Sequence, residues 1–385
     1  MKFRFVSLFF ITWVIIIALH SCKTDPAIDE KNLIINLRVM HDYNTQTTEN
    51  VNKGILWSLS YLGAQMPAGS LSKAINYQSA NTISLNLSFA GFTTEAQYYL
   101  RQIISDIKAT EEYQIYNTVD IGRFFMLTLY SPYHYYAITN APRTYQQFTN
   151  QYQMGNALSF PINNSSLVGR DRLINFVPAT SINTFGFTAF DGHGDIAQNT
   201  FVKETTETWA IMPNGQLRYA VYNTNGNIID ASSTEAGKPG KCMWCHEINI
   251  MPLFNPQSEV AGYLTPAQFT AFIDSSKLLL NNFRNTLQGE IDYGLKQEHT
   301  YSELIYIAFM EPTAQRIAQE WNLSEDSVLQ IIGYLPTHTN NEYPSLGTLY
   351  NRTDIDAIAP YKSAKVPESV RQQSTYEPDL FHIKP

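Results

Sequence analysis

Residues 241–247 read Lys-Cys-Met-Trp-Cys-His-Glu, and they gather two of the chain's three cysteines, Cys242 and Cys245, with His246 directly after the second. Thiols three positions apart share one turn of a helix, and an imidazole one residue further stands beside them. Such a set can do several kinds of chemistry. Each thiol can add to one of the two vinyl groups on a porphyrin edge, with the imidazole as axial ligand to the iron, and C-x-x-C-H is the spacing of c-type haem attachment. The same thiols can close a structural disulfide, though so small a loop restrains the unfolded chain little. A thioredoxin-like pair is expected just after a buried strand, whereas this motif follows Gly237-Lys238-Pro239-Gly240-Lys241. A zinc clip needs a fourth ligand, which no further cysteine of the mature chain supplies.

The compartment decides which of these is chemically available. Lys2 and Arg4 precede the apolar run Phe5 to Leu19, the layout of an export signal. That run is shorter than the roughly 20 apolar residues of a spanning helix. It ends in Leu19-His20-Ser21-Cys22, which resembles the bacterial lipobox, and the resemblance implies lipidation of Cys22. The expectation is an exported body, anchored by lipid to a periplasmic or cell-surface membrane face, outside the reducing cytosol. The formal charge of −8 over 385 residues argues against a nucleic-acid partner, which needs a clustered cationic surface.

Cys242 to His246, followed by Pro252-Leu253-Phe254 and several helices, resembles a single-haem cytochrome c module spanning at most residues 236–335. The resemblance implies covalent haem c as cofactor, thioethers from Cys242 and Cys245, and His246 as proximal ligand. It also implies a backbone carbonyl near Pro252 that orients that histidine. For the distal ligand it points first to Met310, ahead of the Pro312 helix. Met310 also sits among Leu304, Ile305, Ile307 and Phe309, where methionine serves as core filler. His299 and His338 are alternatives, Met251 is expected on the wrong face, and an open distal site would turn the protein toward catalysis or ligand sensing. The functional expectation is electron transfer or a redox-linked role with an unidentified redox partner. The competing one is a non-redox ligand-binding lipoprotein whose C-x-x-C is a disulfide or metal clip.

The elements that must position the motif give an α+β expectation. Residues 1–22 are the signal and 23–47 a solvated tether. Residues 48–121 read as helical: Val51, Ile55, Leu56, Leu59 and Leu62 fall on one face, as do Ala96, Tyr99, Leu100, Ile103 and Ile107 after Thr93-Thr94-Glu95. Residues 122–235 read as an antiparallel β block. Its expected strands are Phe124–Tyr130 and His134–Ile138 about a Ser131-Pro132 turn, then 173–177, 185–190, 205–212 and 217–222. Pro213-Asn214-Gly215 and Asn225-Gly226-Asn227 supply hairpin turns. Residues 236–335 are expected to be helical over 266–280, 301–310, 312–321 and 324–335. Residues 336–385 form an extended Pro-rich tail. Ala314 to Ile332 has a helix-turn-helix cadence but three acidic residues against one Arg, so it reads as two packed helices. Asp191-Gly192-His193-Gly194-Asp195 lacks the EF-hand spacing and reads as a turn. The aromatics of the β block read as core rather than a sugar-stacking surface.

Overall fold

The computed structural model describes residues 33–41, 46–165, 169–178, 181–232, 237–246, 249–341 and 343–370. Cys22, its signal and the chain beyond residue 370 lie outside the described residues. The chain is a mixed α+β fold.

The first layer is a four-stranded sheet in the order β2-β3-β1-β4, made of β1 (Ile34–Arg38), β2 (Ile75–Ser79), β3 (Thr82–Asn86) and β4 (Val119–Asp120). β1 pairs antiparallel with β3, placing Ile35 opposite Leu85 and Leu37 opposite Ile83. This corrects two expectations. The tether does not run to residue 47, because Leu33, Ile35 and Leu37 alternate inward and are fully buried. The region to 121 is not helical throughout, because the β2–β3 hairpin buries Ile83 and Leu85 by the same period. The expected helices are α1 (Thr48–Tyr61) and, after the short α2 (Leu71–Ala74), α3 (Thr94–Lys108); α4 (Glu111–Tyr116) follows. Thr47 and Thr93 cap α1 and α3 by accepting the backbone N–H of Asn50 and Ala96.

The chain then forms α5 (Ile121–Thr128), α6 (Pro132–Ile138) and α7 (Tyr145–Gln151). The strands expected at 124–130 and 134–138 are therefore helices. Every residue of α5 is buried, so no polar face marks a helical period. The start signals are local instead: Asp120 Oδ1 accepts the Gly122 N–H at 2.7 Å, and Pro132 stands at the first position of α6. A six-stranded antiparallel meander follows, β5 (Leu158–Ile162), β6 (Arg172–Phe176), β7 (Gly186–His193), β8 (Val202–Ile211), β9 (Leu217–Tyr222) and β10 (Ile228–Ile229), neighbours pairing in chain order. The β8–β9 hairpin turns where Asn214-Gly215 stands, and Gly215 takes φ +83° there. Phe185, Phe187, Tyr219 and Tyr222 are buried, as core aromatics. Asp191 ends up inside β7 and buried, and the turn falls at Gly194.

The C-terminal part contains α8 (Pro239–His246), α9 (Pro266–Arg284), α10 (Thr300–Met310), α11 (Ala314–Trp321) and α12 (Glu325–Ile332). After them come β11 (Thr337–His338) paired with β12 (Leu349–Tyr350), and α13 (Arg352–Ile358). The tail is thus not wholly extended. Arg352 reaches into the interior, where both of its terminal nitrogens bond Glu320 at 2.8 Å. Glu320 also accepts from Arg316, whose Nη2 pairs with Asp120 at 2.6 Å, so α5, α11 and α13 are tied by one buried ion network. One apolar cluster runs from Leu33 through both sheets to Val370. Among the described residues no helix is long and apolar enough to cross a membrane.

Candidate functional site

Gly240 lets α8 lie close: a Cβ there would meet the Tyr130 ring and Val370. The helix then packs across β9. Its spacing sorts the motif by face. Met243 is buried at the back and Trp244 packs on Tyr130 and Tyr306, with ring centroids 5.8 and 4.8 Å away. Cys242, Cys245 and His246 all line a cavity of about 140 Å³ between α8, the face of β6–β9 and the segment Met251–Phe254. Phe187, Trp209, Tyr219 and Phe269 supply apolar wall.

His246 is held from two directions. Its ring lies nearly parallel to Trp209, at 5.4 Å and 26°, and to Tyr219, at 6.1 Å. Its Nδ1 stands 3.2 Å from the Met251 carbonyl oxygen. A carbonyl only accepts, so Nδ1 carries the proton and Nε2 keeps its lone pair. Burial lowers the imidazole pKa, with Glu207 and the Met251 bond opposing, so the ring is neutral as metal ligation requires. Burial drives the Cys242 thiol well above its ordinary value, Glu207 and Cys245 adding to the rise and Arg172 opposing it.

A charged cluster occupies another part of the same wall. Arg172 Nη2 bonds Glu207 Oε2 at 2.6 Å, and Arg172 Nε pairs with Asp191, its cross-strand neighbour. Ser232 Oγ donates to Asp191 Oδ2 at 3.0 Å. Arg172 and Glu207 line the cavity, while Asp191 is fully buried behind them. Burial and the Glu207 charge push the Asp191 carboxyl up to about 8, Arg172 opposing, whereas Arg172 holds Glu207 down against its own burial. Of this cluster the sequence marked only Asp191, and as a turn residue, since Arg172, Asp191 and Glu207 lie on three strands.

The remaining expected ligands are not brought to the cavity. Met310 is buried in the core at the end of α10, beside Phe309, and does not line the cavity. His299 packs edge-on against Trp57, and His338 bonds Glu311. Met251, by contrast, lines the cavity, although the sequence placed it on the wrong face. Its backbone carbonyl bonds His246 Nδ1, which holds the residue beside the motif.

The donor set fits a c-type haem: two thiols on one helical face, a neutral imidazole with Nε2 available, and a carbonyl that orients it. The cavity is comparable to the ~150 Å³ engineered cavities that admit benzene, so the fit rests on the donors rather than on volume. Among the described residues no group of three His, Cys, Asp or Glu side chains gathers to hold a metal ion, and Cys242 and Cys245 are not disulfide-bonded. No protein-family model, curated protein or solved structure matches the chain.

Proposed function

We propose that this protein is an exported, membrane-anchored redox protein that carries one covalent haem c, with Cys22 as the lipidated residue. The observation that carries the reading is the Met251 carbonyl on His246 Nδ1, beside two thiols that open into the same cavity. Cys242 and Cys245 would form the thioethers and His246 would be the proximal ligand. A bound haem supplies a one-electron iron couple. The chain's own residues do the positioning. Met251 fixes the imidazole tautomer, Trp209 and Tyr219 fix the ring plane, and the aromatic wall excludes water, which raises the electrostatic weight of each charge nearby. The electron partner would be another protein on the same membrane face.

The test is production of the mature chain with a haem c maturation system, followed by the absorption spectrum in alkaline pyridine. A covalent haem band is expected, lost in Cys242→Ala and Cys245→Ala together. Its absence from the wild-type chain would leave the disulfide or metal-clip alternative. Radiolabelled palmitate incorporation that disappears in Cys22→Ala checks the anchor.

A further inference from the structure

The cavity beside the motif measures about 140 Å³, the scale of a benzene-sized site, whereas pockets for drug-sized ligands run to roughly 300–1,000 Å³. A tetrapyrrole is far larger than one aromatic ring, so a wall must move before one can reach Cys242 and Cys245. The walls differ in how firmly they are tied. β6 to β9 are joined by antiparallel ladders, and α8 and α9 by their own helical bonds. The remaining wall, Met251 to Phe254, begins a strap of residues 251–264 that contains no helix or strand. None of those residues is buried, whereas Ile250 before them and Phe269 after them are.

The strap is pinned at both ends. The Met251 carbonyl bonds His246 Nδ1, and the Leu264 N–H donates to the Ser159 carbonyl in β5 at 3.1 Å. Among the described residues no backbone–backbone bond ties it to the body between those points. A side-chain clasp does so instead. Gln257 Oε1 accepts the N–H groups of Asn163 and Asn164 at 2.7 and 3.0 Å, and its Nε2 donates to the Asn164 carbonyl at 2.7 Å. Asn255 Nδ2 adds a bond to Asn164 Oδ1 at 3.1 Å. Phe254 leans on Phe160 and Phe269, with ring centroids 6.2 and 5.9 Å away. Segments with few buried apolar contacts open locally at free energies far below that of global unfolding.

Resting on the haem reading above, we infer that residues 252–263 are a door to the haem site and that Gln257 is its latch. The door swings between its two pinned ends. The Met251 carbonyl therefore keeps His246 oriented while Leu253 and Phe254 withdraw from the cavity. The cofactor is admitted without disturbing the sheet or α8.

Hydrogen exchange read by mass spectrometry tests this on the mature chain, made with and without the haem c maturation system. In the chain made without haem, Gln257→Ala should speed exchange several-fold at the Asn163 and Asn164 amides and along 252–263. Gln257→Glu, which keeps an acceptor, should lie between. Helix α9 should exchange as in wild type, and thermal unfolding shows that each variant is folded. The haem-loaded wild-type chain should show the same fast exchange at Asn163 and Asn164, because a displaced strap no longer covers those amides. Attached haem with both amides as protected as in the chain made without it overturns the door. Gln257→Ala without effect overturns the latch. A chain with no covalent haem overturns the haem reading itself, and the pyridine spectrum separates that failure from the other two.

Discussion

His246 Nδ1, at the end of α8, and the carbonyl oxygen of Met251, just before Pro252, stand 3.2 Å apart. The bond joins the motif to the segment behind it and sets which ring nitrogen is available. Proline at 252 has no N–H and a fixed φ, which stiffens the chain where that carbonyl must be aimed. The rest of the fold carries expectations that are open to measurement.

Met310 serves the core. Met310→Ala should cost about 2–5 kcal/mol in a denaturant titration, and Met310→Leu less than about 1.5 kcal/mol. Both should leave the reduced absorption spectrum of the haem-loaded protein unchanged. A spectral change in the leucine variant would restore Met310 as a ligand.

Gly122 is the contact point of α5 and α10. A Cβ at that position would overlap Phe309 Cβ, and the ring is itself covered by the guanidinia of Arg123 and Arg352, 4.9 and 4.2 Å from its centroid. Gly122→Ala should destabilise by about 1–3 kcal/mol despite alanine's better helix propensity. An unchanged or raised melting temperature would contradict this packing.

Glu320 sets an acid limit. Burial favours its neutral form, but Arg352, Arg316 and Arg123 outweigh it and hold the carboxyl down to about 2, from an ordinary 4.5. The folded state therefore binds this proton more weakly than the unfolded chain. The stabilisation is complete above pH 4.5 and is lost as pH falls toward 2. Glu320→Gln should lose about 3–5 kcal/mol at pH 7, because two buried arginines keep their charge without it. The difference from wild type should narrow as the pH falls through that window.

His134 acts at higher pH. Burial depresses its pKa to about 4 from 6.5, the bond to the Leu127 carbonyl opposing. The unfolded chain takes up the proton first, so stability is complete above pH 6.5 and falls from there toward pH 4, at about 1.4 kcal/mol per pH unit. His134→Asn should flatten the unfolding free energy across that range and leave the Glu320 loss below pH 4.5 in place. A wild-type profile flat from pH 6.5 to 5 would rule the effect out.

The amphipathic helices were legible because their period is carried by neighbours three and four residues apart: α1, α3, α9 and α12 fall within a few residues of the expected spans. The β8–β9 hairpin was legible from Asn214-Gly215. Helices α5 and α6 were not, since a segment buried all round shows no polar face and its aromatics mimic a strand. β1 was missed because charge in the preceding residues masked the alternation of Ile35 and Leu37.

The sequence alone determined the donor set. Cys242, Cys245 and His246 lie within five residues, and local helix geometry puts them on one face wherever that helix packs. Tertiary structure decided everything that depends on long-range closure. It brought Met251 to His246 and withheld Met310. It also laid the motif on a sheet whose Arg172, Asp191 and Glu207 come from three strands. Such juxtapositions follow from strand register and core packing, which no short window of sequence contains.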